Sequence, residues 1–290
     1  MTLAAEDLDF DTALALLDWQ LGMGAFEAIS DLPVDRYALV QAAAAQTSAA
    51  PQESQGPASA GKTAPTSGYS DLPKPAETDP AEEARALAAE AQSLEALAAA
   101  MASFDLCELK RGARQLVFAD GMPQADVMII GEAPGREEDR TGRPLVGQAG
   151  QMLDRMLSAI GLSREAPDPS RAVYIANLLP WRAPENREPS PKEVSMMLPF
   201  LLRHIELAQP KVLVLMGGAS VQALTGQKGI TRLRGQWTRA AGLPALPMLH
   251  PAYLLRLPSE KKRAWADLLT LRAALDHGIG PEFQGLPSVP

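Results

Sequence analysis

Three short stretches of this chain combine residue types that could do chemistry together. Gly131-Glu132-Ala133-Pro134-Gly135 places a carboxylate inside a tight, proline-stiffened turn with exposed backbone N–H groups. Asn177 lies in the carboxyl half of an apolar run. Its amide offers one donor and one acceptor side by side, the pattern that pairs with the edge of a planar imide base. His250 closes another apolar run and leads into Pro251-Ala252-Tyr253-Leu254-Leu255-Arg256, where apolar wedge candidates follow an imidazole. If the three runs are strands of one parallel sheet, all three groups stand at its carboxyl edge, where open α/β sheets bind ligands. Taken singly, each has an ordinary explanation: a strand-to-loop turn, a turn-capping amide, a structural histidine.

Other stretches favour a ligand of phosphate or base character. Gly142-Arg143-Pro144-Leu145-Val146-Gly147-Gln148-Ala149-Gly150 is a long glycine-rich loop opening a helix, suited to cradling phosphate or an extruded base. After Asn177, the prolines and arginines of 180–189, Arg187 among them, form a stiff loop that could press on a backbone. Gly217-Gly218-Ala219-Ser220 follows another apolar run. Lys228, Arg232, Arg234 and Arg239 form one basic cluster, and Arg256, Lys261, Lys262 and Arg263 a second. Solvated faces would explain either cluster alone. His204 and His277 fall in polar surroundings and are expected to be solvated.

The elements that must hold these groups follow from apolar periodicity. Strands are predicted at 126–130, 173–179, 212–216 and 245–249. Helices are predicted at 147–160, 191–208, from Ser220, and at 261–275. Ser190 with Glu193 three residues on has the capping-box pattern. Strands separated by helices predict a three-layer α/β/α fold around a central, mainly parallel four-stranded sheet. Ahead of it, 81–103 is Ala/Glu/Leu-rich and predicted to be one helix. Residues 36–80 are read as a disordered linker, because 44–80 offers too few large apolar side chains to offset ordering entropy. Residues 1–35 form an acidic segment whose Phe10, Leu14, Leu17 and Leu21 recur at helical spacing with Trp19 beside them. The domain proper is then 81–280, with a flexible tail at 281–290.

The overall charge of −8 conceals an asymmetry. Residues 1–100 sum to −12 and residues 101–290 to +4. A polyanionic partner is therefore compatible with the second part. The single cysteine, Cys107, excludes an internal disulfide framework and an all-cysteine metal site. Neither a secretory signal nor a run of membrane-spanning length is visible, so a cytoplasmic monomer without membrane contact is expected.

Taken together, 131–154, 174–194 and 250–256 resemble the uracil-DNA glycosylase superfamily, most closely its family 4, over about residues 104–275. The resemblance implies a partner, uracil-containing DNA, and hydrolysis of the bond between uracil and its sugar to leave an abasic site. It implies that Gly131, Glu132, Ala133, Pro134 and Gly135 shape the uracil pocket and the water site, with Leu145 as a pocket wall. Asn177 would pair with uracil and His250 would stabilise the leaving base. Glu132 completes the catalytic candidates, but Ala133 stands where a better-known branch has a water-activating aspartate. Gly147, Gln148, Gly218 and Ser220 would meet phosphates, and Tyr253, Leu254 and Leu255 would wedge into the duplex. Arg187, Arg234 and Arg256 complete the expected DNA contacts.

Two departures stand out. The four cysteines that hold the family's iron-sulfur cluster are here Phe104, Cys107, Trp181 and Met197. One thiolate cannot hold a cluster that takes about four, so no cofactor and no metal are expected, and an apolar plug is expected in its place. Leu145 replaces a phenylalanine that stacks on the base, a face worth about 1–3 kcal/mol. The alternatives are a binding module without turnover, a glycosylase for hypoxanthine or xanthine, and a phosphate-binding α/β protein. The 9–29 helix would bind a protein partner or fold over the basic face as an autoinhibitor.

Overall fold

The computed structural model describes residues 79–278. The predicted helix at 9–29, the linker as far as residue 78 and the tail at 281–290 lie outside the described residues. Among the described residues the sheet has six strands in the order β1-β3-β2-β4-β6-β5. These are β1 (Ala119–Gly121), β2 (Val127–Gly131), β3 (Val173–Asn177), β4 (Val212–Met216), β5 (Thr238–Ala240) and β6 (Leu243–Met248). The four predicted strands form the central parallel block β3-β2-β4-β6. The prediction of a four-stranded sheet is corrected by β1 and β5, which add antiparallel edges and make the sheet mixed. Both are three residues long, Ala-Asp-Gly and Thr-Arg-Ala, so neither contains an apolar run that periodicity could detect.

Side chains of the central strands alternate between two buried layers, as the two-residue period of a strand requires. Met128, Ile130, Tyr174, Ala176, Leu213 and Leu215 face α1 (Pro80–Glu90), α2 (Leu94–Ser103), α6 (Pro191–Ala208) and α7 (Gly218–Thr225). Val127, Ile129, Val173, Ile175, Val214 and Leu246 face α5 (Gln148–Ser158), α9 (Pro251–Arg256) and α10 (Lys261–His277). Shorter helices α3 (Leu109–Gly112), α4 (Arg136–Thr141) and α8 (Ile230–Leu233) lie in the connections.

The single helix predicted over 81–103 is two. Asp79 caps α1 by accepting the Ala81 N–H, and Ser93 caps α2 by accepting the Ala96 N–H. Between them the Ala91 carbonyl leaves the helix and accepts two bonds from Arg203 of α6, at 3.0 and 2.8 Å. Helix α6 starts as its sequence predicts: Glu193 N–H donates to Ser190 Oγ and Ser190 N–H to Glu193 Oε2. The expectation that His204 is solvated is corrected as well. It is 2 % exposed, with Nε2 2.9 Å from the Tyr174 hydroxyl and its ring stacked on Phe118 at 4.4 Å. It lies four residues after Phe200 and four before Ala208, on the face that α6 buries.

Candidate active site

The carboxyl ends of the central strands gather the predicted groups. Gly131 pairs in register with Asn177, and Met216 with Met248, two residues before His250. The loop after β2 is tied to the loop after β3 by Leu178 N–H to Gly131 O and Leu179 N–H to Glu132 O, both 3.0 Å. The absence of a side chain at Gly131 is essential here. A Cβ would lie 2.4 Å from Asn177 Oδ1 and 3.7 Å from Leu145 Cδ1. Gly131, Asn177 and Leu145 therefore meet at one point. Asn177 is 8 % exposed, and its Nδ2 is buried with no hydrogen-bond partner among the described residues. Leaving a buried amide donor unmet is costly, and such groups call for an explanation.

Two carboxylates organise the loops around that point. Glu132 Oε1 accepts the Ala219 N–H at 2.8 Å, at the start of α7. Gly217 makes this possible: its φ is +105°, and a Cβ there would lie 2.5 Å from the Glu132 carboxylate. Glu132, a catalytic candidate from the sequence, thus caps α7 and also lines the cavity beside His250. Glu138, 8 % exposed, accepts N–H bonds from Gly135 at 3.1 Å and from Val146 and Gly147 at 2.9 Å each. One side chain thereby joins the Gly131–Gly135 turn to the glycine-rich loop. The sequence reading passed over Glu138 inside a charged run. Its place three residues after a glycine that caps a helix was the available signal.

His250 caps α9: its Nδ1 accepts the Ala252 N–H at 3.2 Å. In the neutral imidazole the proton then resides on Nε2, which is the free donor. Burial lowers the His250 pKa, while the carboxylates of Glu132 and Glu138 act the other way. Beside His250 a cavity of about 720 Å³ runs along Gly217, Gly218, Ala219, Lys228, Tyr253 and Arg256.

The predicted DNA contacts separate into those that face this cavity and those that do not. Gly218, Tyr253 and Arg256 line it, Leu255 is 40 % exposed, and Gln148 is exposed with Gly147 half-buried at the start of α5. Ser220 does not face it: it is fully buried and its hydroxyl donates to Gly217 O. Leu254 is also fully buried, in the layer under α9, so it is no wedge. Arg234 is spent on the buried Asp267, its Nε donating to Oδ2 at 2.7 Å. Arg187 forms a two-pronged pair with Glu193 at 2.9 and 2.5 Å. That bond is the main reason the Glu193 carboxyl is held down to about 2.

The sequence profile of the Uracil DNA glycosylase superfamily matches residues 118–269, a span that contains β1 to β6 and every group just described. The chain belongs to that superfamily. It is 37% identical over 162 residues to the type-4 uracil-DNA glycosylase of Thermotoga maritima, an alignment covering 54% of this chain and 80% of the relative. It is 34% identical over 190 residues to that of Sulfurisphaera tokodaii, covering 62% and 84%. With that of Archaeoglobus fulgidus it shares 33% over 187 residues, covering 61% and 90%.

The residues at the four family-4 cluster positions do not fit an iron-sulfur cluster. Phe104, Cys107, Trp181 and Met197 supply one thiol where the cluster takes about four. All four are at most 2 % exposed and belong to one apolar cluster with Phe200, whose ring meets Phe104 edge-on at 5.4 Å. The cluster joins the end of α2, the loop after β3 and α6. Burial pushes the Cys107 thiol up, away from the thiolate that metal binding needs. Among the described residues no group of three or more His, Cys, Asp or Glu side chains could hold a metal ion, and no helix is long and apolar enough to cross a membrane.

Proposed function

We propose that this protein is a DNA repair enzyme that excises uracil, hydrolysing the glycosidic bond of an extruded nucleotide to leave an abasic site. The observation that carries the reading is the buried Asn177 amide: its oxygen lies beside Gly131, and its nitrogen has no partner among the described residues. A base entering there completes the amide: Asn177 donates to O4 and accepts from N3–H of uracil, whereas cytosine presents the reversed pattern. The type-4 uracil-DNA glycosylases among its relatives support the choice of base.

The residues divide the work. As the bond breaks, the sugar gains positive charge and the base leaves as an anion. His250 donates from Nε2 to the base oxygen on which that charge collects, and its lowered pKa keeps it neutral at pH 7. Glu132 positions α7 through Ala219 instead of abstracting a proton. With Ala133 beside it, the reaction relies on placement and charge stabilisation, and the transition state is loose. Arg256 and Lys228 line the cavity as the cations facing the phosphate backbone, and Tyr253, also on the cavity, and the exposed Leu255 are the groups that enter the duplex.

The test uses labelled single- and double-stranded oligonucleotides containing uracil, hypoxanthine or xanthine, treated with alkali after incubation. Scission at uracil alone is the expected outcome. Binding without scission identifies a module without turnover, and scission at hypoxanthine or xanthine assigns another base. Asn177→Ala is expected to lose discrimination of uracil over cytosine, and unchanged selectivity removes Asn177 from the pocket.

A further inference from the structure

Leu145 is held against its own backbone preference. Its φ is +51°, in the left-handed region that residues with a Cβ disfavour. The surroundings impose this conformation. Arg164, 8 % exposed, donates from Nη2 to Leu145 O at 2.8 Å and from Nη1 to Pro144 O at 3.1 Å. Its guanidinium is fixed in turn by Asp154 at 2.8 Å and Asp120 at 2.7 Å, and Arg143 holds the other side of Asp120. Gly150 leaves room for the turn, since a Cβ there would lie 1.8 Å from Leu145 O.

The arrangement has a direction. The turn brings Leu145 Cδ1 over Gly131, on the same side as Asn177 Oδ1. A rigid fork of donors suits two consecutive carbonyls, which a lysine's single ammonium does not match. Strained residues persist where their surroundings over-determine them, and they gather at ligand clamps. Such a clamp, built on a residue in contact with the base pocket, fixes which surface the base meets.

We propose that Arg164 is a positioning residue for base selection: it holds the left-handed turn at Leu145, so that the leucine side chain forms the wall of the pocket around Asn177. This rests on reading that pocket as the uracil site.

Arg164→Met removes the donors and keeps the length. With uracil-containing duplex, KM is expected to rise about ten-fold, as loss of an interaction made on binding requires. Inhibition by free uracil should weaken by a similar factor. Affinity for a duplex carrying a tetrahydrofuran abasic analogue, which has no base, should stay unchanged. Equal losses on both duplexes overturn the proposal. Arg164→Lys, which keeps the buried charge paired, should fall between the two.

A double-mutant cycle adds a readout that general destabilisation does not mimic. If Arg164 acts through Leu145, Arg164→Met should add nothing to Leu145→Gly, whereas additive losses would point to separate effects and sink the idea. Amide hydrogen exchange over 145–150, measured without DNA, is independent of turnover. Protection in the wild type and its loss in Arg164→Met is expected, and equal protection overturns the proposal. If the wild type leaves uracil in place while exchange behaves as expected, the functional reading fails and the Leu145 clamp stands.

Discussion

Two regions of this molecule fix neighbouring loops by opposite means. Around Asn177 and His250 the loops are fixed by single charged side chains reaching backbone N–H and C=O groups: Glu132 to Ala219, Glu138 to Gly135, Val146 and Gly147, and Arg164 to Pro144 and Leu145. Around Cys107 the chain is joined by the apolar side chains of Phe104, Trp181, Met197 and Phe200. Hydrogen bonds have direction and set atoms within tenths of an ångström. Apolar packing is non-directional and tolerates exchange of side chains provided volume is kept. A brace that only needs to join segments can therefore pass from metal to packing. A frame that sets the positions of individual polar atoms cannot be exchanged so freely.

The largest effect expected of this contrast is on the packed side. Trp181→Ala should cost about 3–5 kcal/mol of stability, measured by denaturant unfolding. A chelator should leave wild-type melting unmoved. Near-stoichiometric iron and sulfide in protein purified without air would break the comparison outright. On the directional side, His250→Ala should lower kcat by about 10²–10³, with DNA affinity little changed and about 1 kcal/mol of stability lost with the α9 cap. Parallel losses of turnover and affinity would remove His250 from the bond-breaking step.

His204 sharpens the contrast from inside the packed layer. Burial lowers its pKa from 6.5 to about 4, so the unfolded chain takes up the proton first as pH falls. Its contribution is fully present above pH 6.5 and is lost as pH drops toward 4, amounting to about 3 kcal/mol across that window. His204→Gln should flatten the stability curve between those limits, and an unchanged slope would place the acid sensitivity elsewhere. The smallest effect belongs to the α6 capping box, where Ser190→Ala should cost about 1 kcal/mol and leave uracil selectivity intact.

The sequence was most legible where apolar runs were long. Val127–Gly131, Val173–Asn177 and Val212–Met216 were found within one or two residues because each is buried along its whole length. That Gly131, Asn177 and His250 come together was legible because strands that share a sheet align their ends. What was missed follows a pattern too. Glu138 and Arg164 are charged residues that read as solvent-facing, and only the fold reveals the backbone groups they bind. Leu254 and Leu255 are adjacent and chemically alike, and the helical turn of α9 alone decides that one is buried and the other exposed. Arg187 and Arg234 show the limit of counting basic residues, since each already has a carboxylate.

The short strands β1 and β5 have a consequence of another kind. A parallel block ending in bare strands would present rows of unpaired backbone groups to any other chain in solution. Here each flank closes with three residues, and a charged side chain sits in the middle of each, Asp120 in β1 and Arg239 in β5. At Gly121 the backbone packs so closely on β3 that a Cβ would lie 2.1 Å from Val173 O. Flanks this short give a second chain few backbone groups to pair with, while the loops at the carboxyl edge of the parallel block stay clear of them.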